Sequence, residues 1–388
     1  MRIIKIKNTD PRPVCTRRNA ERFDALFLLA VVILCVMGTF AVFSAGSAYA
    51  YARYDDADYF IKKQTVWLLA GFAVMIISSR IDSATYKNFT LHFYIATVVL
   101  LILVLIIGFA GNGAQRWISI GPLTLQPSEI AKLSLIMMLA KYFSDNEIQA
   151  TSNKSKGTSF VFGTLLPCLI MLLPIILVML QHHLSCIIIL GTIGLIVIFS
   201  SGIDPRYIGI FCAVGIIAIS CLALFTDYTK DRITVWQNPE AYRLTGGWQT
   251  LQGLMAIGSG GLFGCGFGKS VLKHCYVSEP ANDMIFAIVC EETGFIGALI
   301  VLAVFAVLIY RGIAISLHAP DTYTRLLAFG ICVKISVQVL LNVAVVTNTI
   351  PNTGISLPFF SYGGSSLIML LFEMGIMLSI SKKSKIGK

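Results

Sequence analysis

Glu129 and Lys132 stand three residues apart in the run Gln126-Pro-Ser-Glu-Ile-Ala-Lys132, inside an otherwise apolar stretch. On a helix that spacing puts both side chains on one face, close enough to pair. Ionisable groups at membrane depth are costly, so each marks a candidate functional site. A buried ion pair that fixes helix packing is one reading of these two. A polar cavity that holds an anionic head group beside Lys132 is the other. Glu291, Glu292, Lys334 and Glu373 are more isolated and read as helix-end or structurally paired groups. Asp283 closes a long polar segment just before an apolar run. Asp is a favoured helix N-cap there, and the same position offers a carboxylate able to act as a base. Pro351, Gly354 and Pro358 interrupt helix in residues 350–366, which are nevertheless largely apolar. Non-helical backbone at membrane depth is tolerated only against protein or a wet cavity. The Gly363-Gly364 pair, between Ser361 and Ser365, lacks the spacing of a Walker phosphate loop. Residues 111–117 form a second unusual connection and carry Arg116 and Trp117. His182 and His183 are adjacent, cannot easily both face one site on a helix, and have no third ligand evident in sequence, so they are not read as metal ligands.

The elements that must position these groups are membrane helices. The chain is 56% hydrophobic and 13% charged, with a mean hydropathy of +0.79, whereas soluble domains carry roughly a quarter charged residues. Folded in water, such a chain would leave large apolar patches exposed. A spanning helix needs about 20 mostly apolar residues. Stretches at 25–48, 64–79, 91–110, 160–180, 184–201, 207–225, 284–310, 326–347 and 366–381 qualify, and 127–143 is a weaker tenth because Glu129 and Lys132 interrupt it. The expected fold is therefore an all-α polytopic membrane protein of about ten helices, with a long loop at 226–283 between the seventh and eighth. Of the 30 Lys and Arg residues, 19 fall on the side of the two termini and 9 on the other. Positive charge marks the cytoplasmic side, which puts the basic tails 1–24 and 382–388 inside and the 226–283 loop outside. Residues 25–381 form the membrane domain between the tails. The ten cysteines show neither zinc-like spacing nor a disulfide framework.

Three segments closely resemble the SEDS family, which contains the FtsW, RodA and SpoVE proteins. They are residues 113–132, residues 282–294 (Asn282-Asp-Met-Ile-Phe-Ala to Glu291-Glu-Thr-Gly294) and residues 350–366, in the family's order. The resemblance runs from about Phe23 to Ser381, and the segment from Asn342 to Pro351 looks more like the FtsW and SpoVE branch. It implies ten helices with cytoplasmic termini in a bacterial cell membrane. It also implies peptidoglycan glycosyltransferase activity on lipid II, the undecaprenyl-diphosphate-linked disaccharide-peptide, for division or sporulation. A class B penicillin-binding protein, a transpeptidase, is the implied partner. The family's essential loop Asp falls on Asp283, its polar membrane pair on Glu129 and Lys132, and its outer-loop motif on Arg116 and Trp117. Ser361, Gly363, Gly364 and Ser365 are further substrate-binding candidates. A divalent cation such as Mg or Mn suits the chemistry, although no ligand cluster marks it. A lipid II flippase and a catalytically silent scaffold for a transpeptidase are the rival readings. One departure bears on the site: the family's usual Gln-Pro-Asp-x-Gly is Gln181-His-His-Leu-Ser185 here, without the acidic residue. Ser278 and Met284 likewise replace a common Pro and Phe.

Overall fold

The computed structural model describes residues 23–111, 114–120, 123–146, 161–201, 209, 227–274 and 280–384. Apart from residue 209, the span expected at 207–225 lies outside the described residues, as do most of both tails. The helices are α1 (Ala25–Tyr54), α2 (Tyr59–Ser78), α3 (Ser83–Ile107), α4 (Pro127–Asp145), α5 (Leu166–Leu180, entered through a π-turn at Val161–Leu165), α6 (Leu184–Ser200), α7 (Asp227–Gln237), α8 (Trp248–Gly260), α9 (Ile285–Leu317), α10 (Thr322–Val346) and α11 (Gly364–Lys383). Among the described residues, seven helices are long and apolar enough to cross a membrane, and α6 is a shorter apolar helix. This is a multi-pass membrane protein.

Several helices outrun their apolar stretches. α1 extends to Tyr54, and α3 begins at Ser83. A helix satisfies its own backbone on either side of the hydrocarbon boundary, so hydropathy alone underestimates its length. Caps set the ends: Asp24 accepts from the Phe27 amide at 2.9 Å and Asp321 from the Thr324 amide at 2.8 Å.

α4, α10 and α11 are the central helices. Residues around the whole circumference of α4 are buried, including Ser128, Glu129, Lys132 and Ser134, the mark of a helix surrounded by protein. By contrast α2 and α3 expose Leu69, Ile77 and Ile106 outward, as lipid-facing helices do. Small residues bring helices close where the bundle is tightest. A Cβ on Gly375 of α11 would fall 1.8 Å from Ser78 Oγ of α2.

The connection between α3 and α4 adds a small sheet to the all-α fold. It is a three-stranded antiparallel sheet, β1 (Phe109–Gly111), β2 (Ala114–Ile120) and β3 (Leu123–Leu125), in the order β1-β2-β3. Ala110 pairs with Gln115, and Ile118 with Leu125. Asn112-Gly113 and Gly121-Pro122 are turn-forming dipeptides in the sequence, a local signal that the hydropathy reading passes over.

Candidate active site

Asp283 stands just ahead of α9, and Met284, rather than Asp283, occupies that helix's N-cap. The cap role that sequence offers Asp283 is thus displaced by one residue. The surrounding backbone is held from two directions. Asn342 of α10, completely buried, donates from Nδ2 to the Asp283 carbonyl at 3.0 Å and to the Ile355 carbonyl at 2.6 Å. From the 350–366 segment, the Ser361 hydroxyl donates to the Asn282 carbonyl at 2.8 Å and the Tyr362 amide to the Ala281 carbonyl at 2.8 Å. The carboxylate faces Gly354, where φ is +66° and an added Cβ would come 3.1 Å from Asp283 Oδ2. Glycine at that position permits the turn and leaves the carboxylate room. Helix α7 lies over the same segment, with Trp236 Nε1 donating to the Asn348 carbonyl at 2.9 Å and the Arg232 guanidinium to the Asn352 carbonyl.

Glu129 and Lys132 pair as their spacing predicts, at 2.6 Å and almost fully buried. Lys334 of α10 and Glu373 of α11 form a second buried pair at 2.5 Å. Glu129 and Lys334 both line one cavity of about 40 Å³ together with Gln338, Ser361, Tyr362 and Ser366. A polar cavity of that size accommodates water. The two ion pairs and the segment behind Asp283 therefore share one polar interior.

Arg116 and Trp117 lie on β2. Arg116 donates to the carbonyl of His182 at 2.7 Å, where the chain turns between α5 and α6 with His182 at φ +54°. His183 is buried beyond that turn, and the Ser185 hydroxyl donates to the Thr353 carbonyl. The 181–185 junction is thus joined both to the β2 strand and to the segment facing Asp283. Gly364 serves packing: a Cβ there would come 2.5 Å from the Trp67 ring. Gly363 is the N-cap of α11, and the Ser365 hydroxyl is buried without a partner. Sequence reasoning missed Asn342, Ser128 and Thr353. A lone Asn in an apolar helix is the one signal that points to the first of them.

A second polar region lies where α9 is broken. Gly294, at φ +67°, interrupts the helix. Loop residues after α8 take up the exposed backbone groups: the Cys265 and Gly266 amides donate to the Glu291 and Glu292 carbonyls at 3.0 Å, and the Phe295 amide donates to the Gly261 carbonyl at 2.9 Å. The Glu291 carboxylate accepts from the Ser270 hydroxyl at 2.5 Å and the Val271 amide at 2.9 Å. Glu292 accepts from Ser44 at 2.5 Å and from Lys273 at 3.2 Å. Among the described residues no three His, Cys, Asp or Glu side chains gather as a metal site, so the residues present do not fit a divalent cation held by the protein alone.

Comparison with known proteins agrees with this architecture. The family of FtsW, RodA and SpoVE cell cycle proteins matches residues 24–386. A probable peptidoglycan glycosyltransferase FtsW of Geobacter sulfurreducens is 37% identical over 374 residues, covering 95% of this chain and 97% of the relative. Stage V sporulation protein E of Bacillus subtilis is 36% identical, covering 93% and 98%. Among solved structures, a chain of a peptidoglycan synthase complex superposes with a TM-score of 0.77 at 26% identity, covering 92% of this chain and 97% of that one. The rod shape determining protein RodA of Thermus thermophilus superposes with a TM-score of 0.68 at 26% identity, covering 94% and 98%.

Proposed function

This chain belongs to the FtsW, RodA and SpoVE family, and from that premise we propose that it is a peptidoglycan glycosyltransferase that polymerises lipid II. The observation that carries the proposal is the carboxylate of Asp283, on a backbone held by Asn342, facing Gly354 beside a segment that is bonded to the junction held by Arg116. A hydroxyl of the acceptor sugar attacks the anomeric carbon of the donor, and undecaprenyl diphosphate leaves. Asp283 accepts the hydroxyl proton as general base, a contribution of roughly 10²–10⁴-fold. Lys132 and Arg116 offset negative charge on the leaving diphosphate, as preorganised cationic groups do in other transfer enzymes. Glu129 fixes Lys132 through their 2.6 Å contact. Trp117, Ser361, Gly363, Gly364 and Ser365 flank the substrate. Because both substrates are lipid-borne, the reaction belongs between helices.

The proposed topology puts both termini in the cytoplasm and the 226–283 loop outside a bacterial cell membrane. It rests on the basic-residue asymmetry. Residues 25–381 are the catalytic membrane domain, and a class B penicillin-binding protein is the proposed partner. The peptidoglycan synthase complex among the structural neighbours supports that partnership.

Purified protein with lipid II and no other glycosyltransferase tests the activity. Glycan polymer is expected, and folded protein that makes none would sink the proposal. Reaction of a single cysteine near residue 385 with an impermeant reagent in intact cells would overturn the topology.

A further inference from the structure

Two helices, α4 and α6, begin side by side. Arg116, ahead of α4, donates to the His182 carbonyl at 2.7 Å, and the Cys186 thiol in the first turn of α6 lies 3.8 Å from the Ser128 carbonyl in the first turn of α4. Unsatisfied first-turn N–H groups and the helix dipoles favour an anion at such a place. Four side-chain atoms around it point the same way. His183 Nδ1, Ser128 Oγ, Thr353 Oγ1 and Arg116 Nε are all buried without a hydrogen-bond partner. His183 and Ser128 are only 8% and 1% exposed. Thr353 is joined to this group because its carbonyl accepts from the Ser185 hydroxyl.

His183 interacts electrostatically with the cations Arg116 and Lys132 and with the Glu129 carboxylate. The His183 imidazole supplies a potential hydrogen-bond donor.

We propose that this junction of α4, α6 and the 350–366 segment is a diphosphate subsite in which His183 contacts the ligand directly, with Ser128 and Thr353 completing the donor set. The proposal deepens the polymerase reading and rests on it for the lipid attached to the diphosphate. Buried polar groups are normally paired, and diphosphate oxygens would supply acceptors to a set that the protein leaves open.

Binding of undecaprenyl diphosphate to the purified full chain tests this, with undecaprenol as the control lacking phosphate. His183→Asp should weaken undecaprenyl diphosphate binding by about tenfold or more, the scale of losing a charge-assisted hydrogen bond. His183→Asn keeps a donor and should weaken it less, and His183→Ala and Ser128→Ala should each weaken it as well. Undecaprenol binding and thermal midpoint should stay unchanged. Displacement of the lipid by inorganic pyrophosphate would identify the diphosphate itself as the ligand, and binding of the lipid form alone would identify the carrier head group; either supports the subsite. If the folded His183 and Ser128 variants bind undecaprenyl diphosphate as tightly as the parent chain, the subsite is wrong, and equally so if the parent chain does not bind it. Binding is read without turnover. A chain with His183-dependent binding and no polymerisation would overturn the polymerase reading alone.

Discussion

The two polar regions of this bundle hold buried charge in different ways. Around the break in α9, Lys273 contacts Ser44, Gly268 and Glu292, while Glu291 accepts from Ser270 and two backbone amides. No side-chain atom of Ser44, Ser270, Lys273, Glu291 or Glu292 is buried without a partner. Around Asp283 and the Glu129–Lys132 pair, atoms of Arg116, Ser128, His183, Asn342, Thr353, Ser365 and Glu373 are. A buried polar group left unpaired costs about 1–3 kcal/mol. Such a cost persists in a native fold where a ligand or water completes the set. The satisfied region holds a broken helix together, and the unsatisfied one is where the proposed reaction places substrate.

The contrast can be broken most directly at Asp283. Asp283→Asn keeps size and hydrogen-bonding capacity but loses basicity, so polymerisation should fall by roughly 10²–10⁴-fold with folded yield unchanged. Polymer formed by the purified variant from lipid II at close to the parent rate would remove Asp283 as the base.

In the satisfied region the expected loss is stability. Lys273→Met leaves the buried Glu292 carboxylate without its ion-pair partner, a change worth roughly 3–5 kcal/mol. Folded yield and thermal midpoint in detergent should drop, while the folded fraction keeps its turnover. Lys132→Met should differ by losing activity as well as yield, since the proposed mechanism gives Lys132 a substrate role beside its buried pair with Glu129. Equal turnover per folded molecule in the two variants would erase the distinction.

Gly294→Ala sharpens the account of the helix break. The added Cβ would fall 2.4 Å from the Gly264 amide nitrogen at a positive φ, and a strained backbone of this kind costs about 1–3 kcal/mol. The thermal midpoint should fall, and an unchanged value would show that the break tolerates a side chain.

The smallest effect belongs to the exposed pair Lys383–Asp82, at 2.6 Å. The hydrogen bond from Lys383, then that from the Ala84 amide, lowers the Asp82 carboxyl from 3.8 to about 2. A lowered folded pKa gives stability that is present above the unfolded value near 3.8 and is lost as pH falls through about 2. Solvent screens both partners, so Lys383→Ala should change stability by less than about 1 kcal/mol at pH 7. A larger shift in thermal midpoint would mean that this terminal contact anchors α11.

Much of the scaffold was legible because its causes are local. The thickness of hydrocarbon demands long apolar runs, and α1, α3, α9 and α10 stand where such runs occur. A three-residue offset brings Glu129 to Lys132 on any helix. Pro351, Gly354 and Pro358 exclude regular helix between α10 and α11 wherever the segment packs. Other features required the folded chain. Lys334 meets Glu373 across two helices, Asn342 reaches the backbone of Asp283, and the Ser185 hydroxyl reaches Thr353. The same holds for the loop after α8, which satisfies the groups freed at Gly294. Hydropathy registers each of these residues only as a polar interruption. Which interruption faces which depends on helix rotation and on the order of helices around α4, and both are set by packing between segments far apart in the chain.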